Sequence, residues 1–148
     1  MVTQKSQYAL RAVLELGKRR GAGPTRIEQV AKAQGIPQRF LEVVLNELKN
    51  AGVVEARRGP RGGYQLARDP RDITVGDIIE SCQGPFVPVE CLPDPSSSDC
   101  IFKGDCVFVS LWEEVRDAVS QVYRSTTIQD LMERDEHRLM SAAPNYSI

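Results

Sequence analysis

The chain has 148 residues, 41% of them hydrophobic, which is enough for one ordinary domain with a sizeable core and shows no obvious bias towards disorder. Its net charge of −1 hides an asymmetry: residues 1–72 carry 14 Lys and Arg against 7 Asp and Glu, a surplus that suits a polyanion such as DNA, while the remainder carries 5 against 13. No apolar run approaches the ~20 residues that cross a bilayer and no basic-then-apolar signal opens the chain, so the expected location is the cytoplasm, with no membrane partner.

Between Lys5 and Arg19, the residues Ala9, Leu10, Val13, Leu14 and Leu16 recur at helical spacing, which predicts an amphipathic helix. After a turn at residues 21–24, Thr25 stands three residues before Glu28, the capping-box spacing for a short second helix reaching about Ala33. Gly35 suits a left-handed helix end, and Pro37 suits the first turn of a third helix running to about Asn50. In that helix Phe40, Leu41, Val44, Leu45 and Leu48 form one apolar stripe and leave Gln38, Arg39, Glu42, Asn46 and Lys49 on other faces. Two short helices across a tight glycine-containing turn make a helix-turn-helix. Val53 to Arg57 and Tyr64 to Ala67 are expected strands joined by Gly59-Pro60-Arg61-Gly62-Gly63, a wing with Arg57, Arg58 and Arg61 around its tip. Guanidiniums in that position suit a narrow minor groove or a row of phosphates.

Pro70 separates this domain, residues 1–72, from the acidic remainder of the chain. Thr74 and Asp77 are placed to cap a helix ending at Cys82, and the long loop from Gln83 to Asp105 holds Pro85, Pro88, Pro93 and Pro95 with Ser96 to Ser98 beside them. Residues 73–106 are therefore expected to be a short helix and a cysteine-bearing sensor loop. From Val107 to about Arg124, Leu111, Trp112, Val115, Val119 and Val122 repeat at helical spacing; the stripe suits a dimerisation helix, or alternatively one packed onto its own winged domain. Thr127 is placed to cap a last short helix over about Ile128 to Arg134, and Ala142 onward is expected to be a tail, completing a segment of residues 107–148. The expected fold class is mainly α with a small β-hairpin wing: a winged helix-turn-helix plus a long dimerisation helix.

Four cysteines in a reducing compartment are better metal ligands, redox groups or core residues than disulfides. Cys91, Cys100 and Cys106 form C-x8-C-x5-C in the flexible loop, where thiolates can converge on iron or zinc without disturbing a core. Cys82 follows Ile78 and Ile79 on the buried side of its helix and is expected to fill core. An enzyme is not expected, because the single histidine leaves no second one to act as a base and no glycine-rich nucleotide loop is present.

Ser6-Gln7-Tyr8-Ala9-Leu10, the helix-turn-helix, the wing from Arg58 to Ala67, the Ile73 to Ile79 segment and three cysteines before Leu111-Trp112 together resemble the Rrf-type bacterial transcription regulators, over nearly the whole chain. The resemblance implies a winged-helix homodimer on double-stranded DNA at a palindromic operator. In cluster-binding members three cysteines of this loop hold a 2Fe-2S or 4Fe-4S cluster, which implies Cys91, Cys100 and Cys106 as ligands of an iron-sulfur cluster. Val109 stands where some members have a histidine and Gln7 where others have an acidic residue, so the fourth ligand is left among Gln7 or Glu15 of the partner subunit, a water or a small thiol.

The third helix is then expected to read base edges with Gln38, Arg39 and Glu42, while Arg58 matches the family's minor-groove arginine and Lys5, Tyr8, Thr25, Arg26, Arg57 and Arg61 position phosphates. The expected function is a regulator whose operator affinity is set by an iron-sulfur cluster sensing iron, redox or nitric oxide status. The alternative is a cluster-free regulator controlled by thiol oxidation or by a protein partner.

Overall fold

The computed structural model describes residues 1–95, 99–102 and 105–142. Its elements in chain order are α1 (Gln4–Lys18), α2 (Ile27–Gln34), α3 (Gln38–Asn50), β1 (Val54–Arg57), β2 (Gly63–Leu66), a 3-10 turn at Pro70–Asp72, α4 (Val75–Gln83), α5 (Phe108–Ser125) and α6 (Ile128–Ala142). The mainly helical, winged architecture is the one expected from the sequence.

Helix α1 is the hub, touching α2, α3, α4 and α6. Thr3 caps it by accepting from the Ser6 N–H at 3.1 Å, and Ala9, Ala12, Val13 and Leu16 line its buried side. They join Val30, Leu41, Val44, Leu45, Leu48, Val53, Ile73, Ile78 and Ile128 in one cluster, so the core runs from the first helix to the last. Cys82 belongs to this core, 8% exposed, and burial pushes its thiol pKa up, away from reactivity.

The expected caps at Thr74 and Thr127 form as reciprocal boxes. Thr74 Oγ1 accepts from the Asp77 N–H at 3.0 Å while Asp77 Oδ2 accepts from the Thr74 N–H at 3.0 Å; Thr127 and Asp130 repeat the arrangement at 3.1 and 2.9 Å. The start of α2 differs from expectation. Its cap is Arg26, whose N–H donates to Gln29 Oε1 at 3.2 Å, not the Thr25 and Glu28 pair. Thr25 is withdrawn because it exchanges backbone hydrogen bonds of 2.8 Å in both directions with Tyr64 of the wing.

Helix α6 runs well past the expected end at Arg134. Tertiary contacts extend it: Asp135 pairs with Lys18 of α1 at 3.0 Å and with Arg138 at 2.8 Å, and Met132 packs against α1 at Gly17, where a Cβ would lie 2.8 Å from its sulfur. Residues 143–148 of the expected tail lie outside the described residues.

Helix α5 touches α4 and sets Tyr123 edge-on to Phe86, with ring centroids 6.5 Å apart. None of its residues is buried, and Phe108, Leu111 and Val122 are exposed. Among the described residues the apolar stripe is thus only partly covered: Trp112, Val115 and Val119 are half-buried, while Leu111 and Val122 stay exposed. No helix among the described residues is long and apolar enough to cross a membrane.

Candidate nucleic-acid interface and cysteine loop

The base-reading candidates stand at the free end of α3. Pro37 caps that helix in an extended conformation, its carbonyl accepting from the Phe40 and Leu41 N–H groups at 3.0 and 3.1 Å. Burial of Leu41, Val44, Leu45 and Leu48 fixes the helix's rotation and leaves Gln38, Arg39 and Glu42 exposed together on its first turns. Phe40 departs from the stripe expected of it: it is 47% exposed, since one position before Leu41 lies about 100° around the helix. The guanidinium of Arg39 lies 5.0 Å over the Phe40 ring, a cation-π contact that restricts the arginine.

The wing pairs Val54 with Leu66 and Arg57 with Gly63 in an antiparallel register. Arg57 reaches Glu55 at 3.3 Å, while Arg58 and Arg61 are exposed and make no ion pair among the described residues. The hydrogen bond from Gln65 and the neighbouring Arg57 charge hold the Glu55 carboxyl below its ordinary pKa, keeping an anion beside Arg57. Arg26 is also exposed, but its Nη2 donates to the Pro60 carbonyl at the wing turn at 2.7 Å. Thr25 is only 5% exposed, and it fastens the wing to the helices through its backbone N–H and carbonyl.

On α1, Lys5 pairs with Glu47 of α3 at 3.1 Å, and Tyr8 is half-buried with the Arg11 guanidinium 5.6 Å above its ring. Glu15, one of the candidate fourth ligands, is 7% exposed. Burial alone would raise its pKa, but hydrogen bonds from Arg19 at 2.6 Å and Gln34 at 3.0 Å hold it below the ordinary carboxylate value. It is consumed within its own protomer as a tie between α1 and the end of α2, where Arg11 also donates to the Gln34 carbonyl. Gln7 is exposed and donates to the Val2 carbonyl at 3.3 Å.

Of the cluster candidates, Cys100 is exposed, and Cys91 and Cys106 are half-buried; all three are free thiols. Residues 96–98 and 103–104, between these cysteines, lie outside the described residues. Among the described residues no three His, Cys, Asp or Glu side chains stand close enough to hold a metal ion, so the three cysteines are not brought together as a ligand set.

The geometry is thus an exposed helix turn and a basic hairpin mounted on one core. The family model for Rrf2, an iron-dependent transcriptional regulator, matches residues 2–134. The chain belongs to the Rrf2 family. It is 38% identical over 130 residues to the transcriptional regulator CymR of Bacillus subtilis, covering 88% of each chain, and 30% identical over 131 residues to the regulator IscR of Photobacterium profundum, covering 88% of this chain and 74% of that one. The structure of B. subtilis CymR, described as its global cysteine regulator, matches with a TM-score of 0.76 at 37% identity, covering 90% of this chain and 97% of CymR. That of IscR from T. potens matches with a TM-score of 0.78 at 33% identity, covering 99% and 94%. This Rrf2-family chain is accordingly a DNA-binding transcriptional regulator, and its relatives are named as regulators and not as enzymes. Sequence reasoning missed the Arg26 to Pro60 contact and the Arg39 to Phe40 stack. The adjacency of Arg39 and Phe40 was the available signal for the second, whereas nothing local signalled the first.

Proposed function

We propose that the chain acts in the cytoplasm as a homodimer on a palindromic operator, with α5 as the pairing element and the segment 73–106 as the control element. The observation that carries this reading is the joint exposure of Gln38, Arg39 and Glu42 on the first turns of α3 beside a wing bearing Arg57, Arg58 and Arg61. Each α3 enters a major groove by its amino-terminal turns, and a two-fold pair reads half-sites about one helical turn of DNA apart. Arg39 supplies a fork of donors suited to guanine, and Gln38 an amide suited to adenine. Arg58 enters the adjacent minor groove, and Arg57, Arg61, Lys5 and Tyr8 set register on the phosphates. Arg39→Ala is expected to relax specificity at one position in each half-site, a discrimination of about 1–3 kcal/mol. Equal weakening on selected and random duplexes removes its reading role.

For control, we propose that an iron-sulfur cluster on Cys91, Cys100 and Cys106 sets operator affinity. Support comes from the iron-dependent description of the family and from three thiols, each a suitable iron ligand, in a loop that runs directly into α5. The separation of these thiols among the described residues favours a second reading, in which they are a thiol switch, or a partner protein is the signal. Similarity to the global cysteine regulator supports that second reading as well. An anaerobic ultraviolet-visible spectrum with iron and sulfide analysis, on wild type and Cys100→Ala, separates them. A visible cluster band lost in the variant supports the cluster; an iron-free wild type that binds DNA supports the thiol or partner reading.

A further inference from the structure

The turn of the wing, residues 58–62, extends beyond the last strand pair, Arg57 with Gly63. A two-stranded hairpin is marginal by itself, so something must hold that turn if its arginines are to stand in a fixed place. Tyr64 and Thr25 clip the start of β2 to the second residue before α2 through two backbone hydrogen bonds of 2.8 Å. Further out, Arg26 Nη2 donates to the Pro60 carbonyl at 2.7 Å, spanning 34 positions of sequence. Among the described residues this is the one hydrogen bond from outside the hairpin to the turn. Gly63 permits the close approach, since a Cβ on it would lie 2.3 Å from the Thr25 carbonyl oxygen, and Gly62 permits the tight turn itself, where a Cβ would lie 2.3 Å from the Arg57 carbonyl oxygen. The bond joins a permanently charged planar donor to a proline carbonyl, a group with acceptor capacity only.

We infer that Arg26 is a positioning residue, a latch from the start of α2 to the wing tip that fixes where Arg58 and Arg61 stand relative to the base-reading turns of α3. The inference rests on the operator-binding reading above and gives Arg26 the role of a brace in place of the phosphate contact expected from the sequence. Of the two elements that Arg26 joins, the wing carries Arg58 and Arg61, so releasing the latch disorders these arginines without removing a charge from them.

The test uses the full chain in two measurements. The first is the NMR order parameters of the Gly59, Arg61 and Gly62 amides without DNA, in wild type and Arg26→Ala; the tip is expected to loosen in the variant while α2 and α3 stay rigid. The second is affinity for a duplex that the wild-type protein selects from a randomised pool. Arg26→Ala is expected to lose about tenfold. In an Arg58→Ala, Arg61→Ala background the same substitution is expected to cost less than about twofold, because the wing no longer has anything to place. Unchanged order at the tip overturns the latch. An undiminished loss in the wing-neutral background overturns it in favour of a phosphate contact by Arg26. A tip that loosens in a protein whose wild type selects no duplex supports the latch and overturns the operator reading.

Discussion

Gly63→Ala concentrates two costs on the joint between wing and helices. At φ +153° the residue occupies a region of backbone space that is nearly exclusive to glycine, and holding another residue there costs about 1–3 kcal/mol. The new methyl would also lie 2.3 Å from Thr25 O and 2.5 Å from Thr25 C, both of them backbone, so it cannot be accommodated by a side chain swinging away. The strand must instead retreat, and the two 2.8 Å hydrogen bonds between Thr25 and Tyr64 are lost or stretched. At about 1 kcal/mol net for each bond, the expected destabilisation totals about 3–5 kcal/mol. Gly59→Ala is the control: its φ is +104°, but nothing lies within 4 Å of the added methyl, so only a conformational cost of about 1–2 kcal/mol applies. Urea unfolding followed by circular dichroism, with equal slopes required for the comparison, measures both. A Gly63→Ala loss no larger than that of Gly59→Ala refutes the close-approach argument.

Arg57→Ala is expected to reduce the slope of log affinity against log salt by about one counterion, and an unchanged slope by titration at several salt concentrations shows that Arg57 holds no phosphate. Leu111→Asp places a charge in the exposed apolar stripe of α5 and is expected to weaken self-association on the order of 100-fold by analytical ultracentrifugation; a dimer of unaltered affinity removes α5 as the pairing element. Asp69 caps the turn before α4 by accepting from the Arg71 N–H at 2.9 Å, which together with the Arg71 side chain and Arg20 lowers its pKa from 3.8 to about 2. Its folded pKa lies below the unfolded one, so its stabilisation is complete above the unfolded value and is lost as pH falls from about 4 to about 2. Asp69→Asn is expected to flatten this part of the Tm-against-pH curve, and an unaltered slope there counts against the cap.

The fold was largely legible because its signals are local. The stripe of Leu41, Val44, Leu45 and Leu48, the positive-φ Gly35 and the Thr74 and Thr127 boxes each depend on neighbours within a few residues, and each appears as expected. The sequence misplaced the α2 cap because Thr25 has two possible backbone partners, and the one in the wing is 39 positions away. It cut α6 short because the residues from Asp135 onward are held by α1 through Lys18, not by an apolar period of their own. It kept Phe40 in the core because a stripe's edges are set by which neighbours arrive, here leaving the ring to stack with Arg39.

The same division governs the site. Composition and order along the chain determined by themselves that a basic winged helix-turn-helix precedes an acidic half with a cysteine loop and a helix bearing an apolar stripe, since charge, periodicity and turn residues are properties of the chain. Which candidates are free to act was decided only by tertiary structure. Thr25 is buried and bridged to Tyr64 through its backbone, the Glu15 carboxylate is taken up by Arg19 and Gln34, and one Arg26 donor goes to Pro60, while Gln38, Arg58 and Arg61 are left open. The physical reason is that hydrogen-bond capacity is finite: a polar side chain satisfied by a distant part of its own chain is no longer available to a ligand, and such long-range pairing leaves no periodic mark in sequence.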